Sequence, residues 1–191
     1  MSVANGRATK RRSAGGSDRG LYAKLSCALA ERDAVTAKNA LIASGENPPF
    51  HEEAVHFNRP LVEGVIARMT KDEDKACAAF TAARAEQEKI VQAQPNYGPA
   101  LCVLGLIDAS LGRKEEALGE GRRAVELLPV EKDAISGPLM IEYLTMIAAW
   151  IGDKDLACEQ LLRVISPPST HCQLWSIETD AAVGPALREN R

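Results

Sequence analysis

The feature that most constrains this chain is a phrase that returns about every forty residues. "LGRKEEAL", from Leu111 to Leu118, is answered by "IGDKDLAC", from Ile151 to Cys158. Each is a charged turn around Gly, followed by acidic residues that lead into Ala. Aligned on the small residue that opens each such segment, Ala37, Ala76, Ala117 and Ala157 fall at intervals of 39, 41 and 40 residues. A fixed interval of this length marks one supersecondary unit stacked on copies of itself.

Each unit reads as two helices and a stop. The second runs "FNRPLVEGVIARM", turn "TKDED", then a long helix ended by Pro95. The third runs "GPALCVLGLIDAS", turn "LGRK", then "EEALGEGRRAVELL" and Pro129. The fourth runs "GPLMIEYLTMIAAW", turn "IGDK", then "DLACEQLLRVIS" and Pro167–Pro168. In the first, "LYAKLSCALA" and "AVTAKNALIAS" flank "RD", and "GENPP" stops the pair. Apolar residues recur with helical spacing throughout, and Pro ends a helix because it lacks an amide donor and clashes with the turn before it. No stretch sustains period-2 alternation, so no strand longer than a chance pair is expected. Apolar residues reach 46% but aromatics only 4%, a balance that favours helix over sheet.

The third unit resembles the tetratricopeptide repeat. That family's 34-residue unit places small residues at its eighth, twentieth and twenty-seventh positions and Pro at its thirty-second. Gly105, Ala117, Ala124 and Pro129 match, and Pro129 follows Pro95 by 34 residues. The second unit offers Gly64, Ala76, Phe80 and Ala83. The first offers Leu21, Ala28, Ala37, Leu41 and Pro49, and the fourth Ile141, Leu144, Ala148, Ala157 and Leu161. The resemblance implies an all-α, right-handed α-solenoid of about four antiparallel helix pairs. The expected organisation is a disordered basic arm over 1–17, a repeat domain over 18–168 and a poorly ordered tail over 169–191. The repeat units lie near 18–56, 57–97, 98–137 and 138–168. Glu115 and Glu116 then sit at the positive end of a helix, and Arg122 and Arg123 are expected to pair weakly with Glu residues one turn away. Gly119 and Gly121 inside that helix each cost about 1 kcal/mol relative to Ala, so either a bulky neighbour such as Met146 or Trp150 fills the gap at Gly121 or the helix is locally weak.

The wording from Ala78 to Pro129 also resembles C-terminal repeat regions of large bacterial signalling proteins linked to kinase, cyclase or winged-helix domains. This sequence has no Gly-rich phosphate loop, no "HRD" and no "DFG".

Residues that carry chemistry are sparse. His51 and His56 are five apart in "HEEAVH", one residue too far for two ligands on one helical face. The five Cys are scattered singly, and Cys77 and Cys158, each just past an aligned Ala, are expected as small core residues. Asp72, Glu73 and Asp74 form a solvated turn. No catalytic residue, cofactor or metal is expected. A net charge of −3 gives no drive toward nucleic acid or anionic membrane, and no apolar run approaches the length of a spanning helix. Single cysteines are expected of a cytoplasmic protein.

What remains is a binding surface. In tetratricopeptide repeats the first helix of each pair lines a concave groove. Carried over by alignment, its positions give Tyr22 in the first unit and Asn58, Leu61, Val65, Arg68 and Met69 in the second. The third contributes Leu106 and Ser110, the fourth Glu142 and Met146. This mixture suits a protein or peptide partner. Two alternatives are a regulatory arm separated from a bacterial kinase or cyclase and, more remotely, an RNA-binding helical repeat.

Helical periodicity stops after Pro168. Residues Cys172 to Pro185, back-translated and read one nucleotide later, admit codons spelling S-Y-G-Q-L-K-L-M-P-L-W-D-P. This is the pattern that closes the related bacterial proteins, so the tail is expected to be a frameshifted reading of that segment.

Overall fold

The computed structural model describes residues 14–45, 50–52 and 54–165. Among them are eight helices: α1 (Ala14–Ala30), α2 (Ala34–Ala43), α3 (Arg59–Met69), α4 (Glu73–Ala93), α5 (Gly98–Ser110), α6 (Lys114–Leu127), α7 (Ser136–Ile151) and α8 (Lys154–Ile165). The fold is mostly helical, as the composition requires. Helix α1 opens at Ala14, inside the stretch expected to be an arm; residues 1–13 and the proposed frameshifted tail lie outside the described residues.

The helices pair as α1–α2, α3–α4, α5–α6 and α7–α8, and the pairs meet chiefly through α2–α3, α4–α5, α5–α7 and α6–α7. Each pair is closed by the same hydrogen bond. The amides of Asp33, Asp72, Arg113 and Asp153 donate to the carbonyls of Ala28, Ala67, Asp108 and Ala148, at 2.8 to 3.0 Å. The residue before each donor, Arg32, Lys71, Gly112 or Gly152, has positive φ. One residue further back the chain leaves its first helix. The phrase "LGRK"/"IGDK" is therefore a turn, and its Gly takes a left-handed conformation open to Gly at little cost. The amides of Ala37, Ala76, Ala117 and Ala157 then bond the carbonyls of those same four donors, so the intervals of 39, 41 and 40 recur in the backbone. Asp33, Asp72 and Asp153 also cap the second helix, accepting from amides two or three residues on. This satisfies donors that a helix start leaves open. In the third unit Arg113 makes no side-chain cap.

Small residues let the paired helices approach. A Cβ on Gly64 would stand 2.6 Å from the Phe80 ring, and one on Gly105 would stand 2.7 Å from Ile147 Cδ1 and 3.0 Å from the Ala117 carbonyl. Ile147 Cδ1 and Leu144 Cδ1 also close the space beside Gly121, so the filler comes from α7 but is neither Met146 nor Trp150. Phe80, Ile147 and Ala117 are wholly buried, and a buried Phe or Ile side chain stabilises by roughly 1.5–3 kcal/mol. One core runs from α3 to α7, and a smaller one joins α1, α2 and α3 around Leu25, Leu41 and Ile66. Cys77 and Cys158 are exposed, against expectation. Each lies one residue, about 100° around the helix, past an inward-facing Ala, buried Ala76 and half-buried Ala157, and so faces outward.

The sheet was not expected. Strands β1 (Phe50–Glu52) and β2 (Val55–Phe57) pair antiparallel, with Phe50 opposite Phe57 and Glu52 opposite Val55. Val55 and Phe57 alternate with exposed His56, a pattern that suits a half-buried strand. Strand β2 lies against α5. Phe57 tilts onto Tyr143 with ring centroids 6.1 Å apart, and Tyr97 Oη donates to the Ala54 carbonyl at 2.8 Å.

A candidate docking trough

The residues expected to line a concave groove do not form one open surface. Leu61, Leu106, Glu142 and Met146 are buried, while Val65, Met69 and Ser110 are half-buried. Helices α5 and α7 are enclosed along most of their length because neighbouring helices surround them and β2 lies against α5. Asn58 is a structural residue: Oδ1 accepts from the Leu61 amide at 3.1 Å, and Nδ2 donates to the Ala83 carbonyl at 2.9 Å, tying α3 to α4. Tyr22 falls on α1, with its side chain outside the described residues.

Arg68 does gather groove residues, though as a rivet. Its guanidinium lies 4.8 Å from the Phe80 ring centroid and 5.8 Å from that of Trp150, and it donates to the Ser110 carbonyl at 2.6 Å. Burial lowers its pKa, opposed by the charge of Glu73. Such a cation between two rings contributes about 0.5–2 kcal/mol and locks α3 to α5 and α7. Arg122 and Arg123 make no ion pair with Glu among the described residues; Arg123 donates to Asn96 Oδ1 at 3.0 Å.

An open concavity lies elsewhere among the described residues, between α2 and α4 with α3 as its floor. Its volume is about 870 Å³, within the range of small-ligand and peptide sites. Each wall is one helical face. Helix α2 gives Val35, Lys38, Asn39 and Ile42; helix α4 gives Lys75, Ala78, Ala79 and Ala82; the floor includes Ile66 and Ala67. Val35 and Ile42 are 71% and 62% exposed, unusual for large apolar side chains on a helix already buried on its other face.

The repeat register explains the opening. Ala67 and Ala79 in the second unit correspond to Asp108 and Glu120 in the third, counted from the hairpin-closing carbonyl and from the aligned Ala. There the equivalent space is filled. Asp108 is fully buried and takes Arg84 Nε at 2.6 Å and Arg113 Nε at 3.3 Å; Arg84 also reaches Glu88 and Arg113 reaches Glu116. Burial pushes the Glu120 carboxyl up to about 8, reinforced by the charge of Asp108 and opposed by Arg84. In the fourth unit the position of Ala79 is Gln160, which is buried and accepts from Arg163 at 2.8 Å. Arg163 itself corresponds to Ala82. Small side chains in the second unit therefore leave a trough where the later units carry long polar ones.

The rim is charged but mostly paired. Arg59 meets Glu63 at 2.7 Å and reaches the Leu41 and Gly45 carbonyls at the end of α2. Lys75 meets Asp72. Lys38 is exposed and makes no ion pair among the described residues. No group of three or more His, Cys, Asp or Glu among the described residues is placed to hold a metal ion, and no described helix is long and apolar enough to cross a membrane. No known protein family, curated protein or solved structure matches this chain.

Proposed function

We propose that this chain is a protein-binding module, a tetratricopeptide-like α-solenoid without chemistry of its own, and that it takes a helical segment of a partner in the α2–α3–α4 trough. The observation that carries the reading is the pair Ala67 and Ala79, which leaves open a space that the third unit fills with Asp108 and Glu120. Around it, the walls of α2 and α4 present side chains at i, i+3, i+4 and i+7, the spacing with which an amphipathic helix presents its own anchors. Exposed Val35 and Ile42 supply apolar contact, and the small residues of α4 permit close approach of a third helix. This moves the expected binding surface from the first helices of the pairs to the outer wall between the first two second helices.

The test is to fill the trough with side chains the fold already uses. In Ala79→Gln/Ala82→Arg, helix α4 carries the pair that Gln160 and Arg163 form in α8. Helical peptides selected from a display library on the wild-type protein are expected to carry apolar residues at i, i+3, i+4 and i+7 and to lose binding to this variant, with its melting curve unchanged. Peptides that bind both proteins equally would place the binding surface elsewhere.

A further inference from the structure

We propose that the partner in the trough is helix α8 of a second copy of the same chain, so that copies associate head to tail; this rests on the trough being a docking site. Six large apolar side chains among the described residues are exposed: Val35, Ile42, Ile90, Ile135, Leu162 and Ile165. Two of them line the trough. Two others, Leu162 and Ile165, lie on the outer face of α8 at 60% and 51% exposure, and exposed Cys158 precedes them by one turn. Cys158, Leu162 and Ile165 stand at i, i+4 and i+7, a continuous stripe along a helix whose main neighbour is α7.

Along one edge the charges match as well. One edge of the stripe carries exposed Asp155 and Glu159, one turn apart, while exposed Lys154 lies one turn before Cys158 and exposed Arg163 follows Leu162. The trough offers Lys38 between Val35 and Ile42, while the acids nearest the trough, Glu63 and Asp72, are already held by Arg59 and Lys75. An apolar stripe with an acidic edge therefore meets an apolar trough with an uncommitted cation. The two surfaces belong to opposite ends of the order of pairs, the trough to the first two and α8 to the last. The contact is heterologous: each joined pair of copies keeps one unused trough and one unused α8, and association continues with concentration.

Sedimentation velocity of the full chain over a concentration series tests this. The weight-average mass is expected to rise with concentration without stopping at a dimer. Val35→Glu blocks the trough and Leu162→Glu blocks α8; both positions are exposed, and circular dichroism is expected to match the wild type. Each variant alone is expected to stay monomeric. Mixed in equal amounts, they are expected to form a species of about twice the monomer mass and nothing larger, because only one intact trough and one intact α8 can meet. Lys38→Glu is expected to weaken association at least threefold, with recovery when it is mixed with Asp155→Lys/Glu159→Lys. A wild type that stays monomeric at every concentration overturns the proposal, as does a Val35→Glu variant that dimerises alone, which would mean that α8 meets α8. A monomer whose trough still binds helical peptides, and loses them in Ala79→Gln/Ala82→Arg, overturns self-association while leaving the docking function standing.

Discussion

Arg84 on α4 places Nε 2.6 Å from Oδ1 of Asp108 on α5, across the junction between the second and third pairs. Asp108 has no exposed surface, and Arg113 Nε reaches the same oxygen at 3.3 Å. In the other three units the residue at the position of Asp108 is Ala, and the residue at the position of Arg113 is the capping Asp. The third unit has thus moved its acid from the cap to the helix end before the turn and put a cation in the cap's place. Removing Asp108 alone takes the buried acid from two guanidinium groups, which keep only the more exposed Glu88 and Glu116. Asp108→Ala is expected to cost about 3 kcal/mol, the lower end for one partner of a buried pair, because Arg84 can turn partly to water. Asp108→Ala/Arg113→Asp restores the arrangement of the other units, with a cap worth about 1 kcal/mol, and is expected to recover a third or more of the loss. Urea melts of the two variants decide this. Equal midpoints would mean that an acid at position 113 does not cap α6 as Asp33, Asp72 and Asp153 cap their helices.

Glu120 makes stability depend on pH. Its folded-state pKa is about 8, raised by burial first and by Asp108 second; Arg84 and Arg113 pull the other way, and Glu88 and Glu116 ring the same cluster. The ordinary value is 4.5. Below 4.5 the carboxyl is protonated in both states and folding incurs no penalty. As pH rises from 4.5 toward 8 the unfolded chain loses its proton and the folded chain keeps it, so stability falls across that window and levels off above it. Glu120→Gln cannot ionise. It is expected to match the wild type near pH 4 and to exceed it at pH 8 by about 1–2 kcal/mol, reduced from the full linkage because the side chain is only partly withdrawn from water. Thermal melts at both pH values would show a constant difference if Glu120 were ordinary.

Asn58 was read as a ligand contact and is a tie between helices. Its amide caps α3 and reaches the Ala83 carbonyl. Asn58→Ala is expected to cost about 1–2 kcal/mol, from the lost cap and one buried carbonyl left without its donor. Asn58→Asp keeps the cap but turns the second bond into a contact between two acceptors, so it too is expected to fall below the wild type. A melting temperature unmoved by Asn58→Ala would return the residue to the surface.

The repeat was legible because its signal is additive. The intervals of 39, 41 and 40 and the small residues at 64, 76, 105 and 117 each follow from helices that must cross closely, and the structure repeats them in its hairpin-closing bonds. The strand pair was hidden because "HEEA" separates its two apolar halves by charge. Arg68 stood out as a groove cation, yet its partners Phe80, Ser110 and Trp150 come from three other helices, and no local pattern announces such a meeting. The trough was least legible of all. It consists of what Ala67, Ala79 and Ala82 lack, and alanine inside a helix reads as ordinary helix former. Only comparison with Asp108, Gln160 and Arg163 at the same register exposes the missing side chains.

Three glycines in the helices give the sharpest test of the packing. Gly119 sits inside α6 with nothing within 4 Å of a Cβ built on it, so a methyl there meets only solvent. Gly119→Ala is expected to stabilise by about 0.5–1 kcal/mol through helix propensity and a less flexible unfolded chain. At Gly64 the same methyl would stand 2.6 Å from two atoms of Phe80, a ring with no exposed surface and therefore no room to withdraw. Gly64→Ala carries the same gain in propensity but forces α3 away from α4, and overpacking of this kind costs about 1–3 kcal/mol, so the net change is destabilising. Gly121 lies between: its methyl would meet the tips of Ile147 and Leu144 at 2.9 and 3.0 Å. These are flexible ends that can shift, so the expected change is within about 1 kcal/mol of zero. Measured by denaturant melts, the order is Gly119→Ala above wild type, Gly121→Ala near it and Gly64→Ala below it. If Gly64→Ala proved as stable as Gly119→Ala, the close crossing of α3 and α4 at Phe80 would be wrong, and with it the floor on which the trough rests.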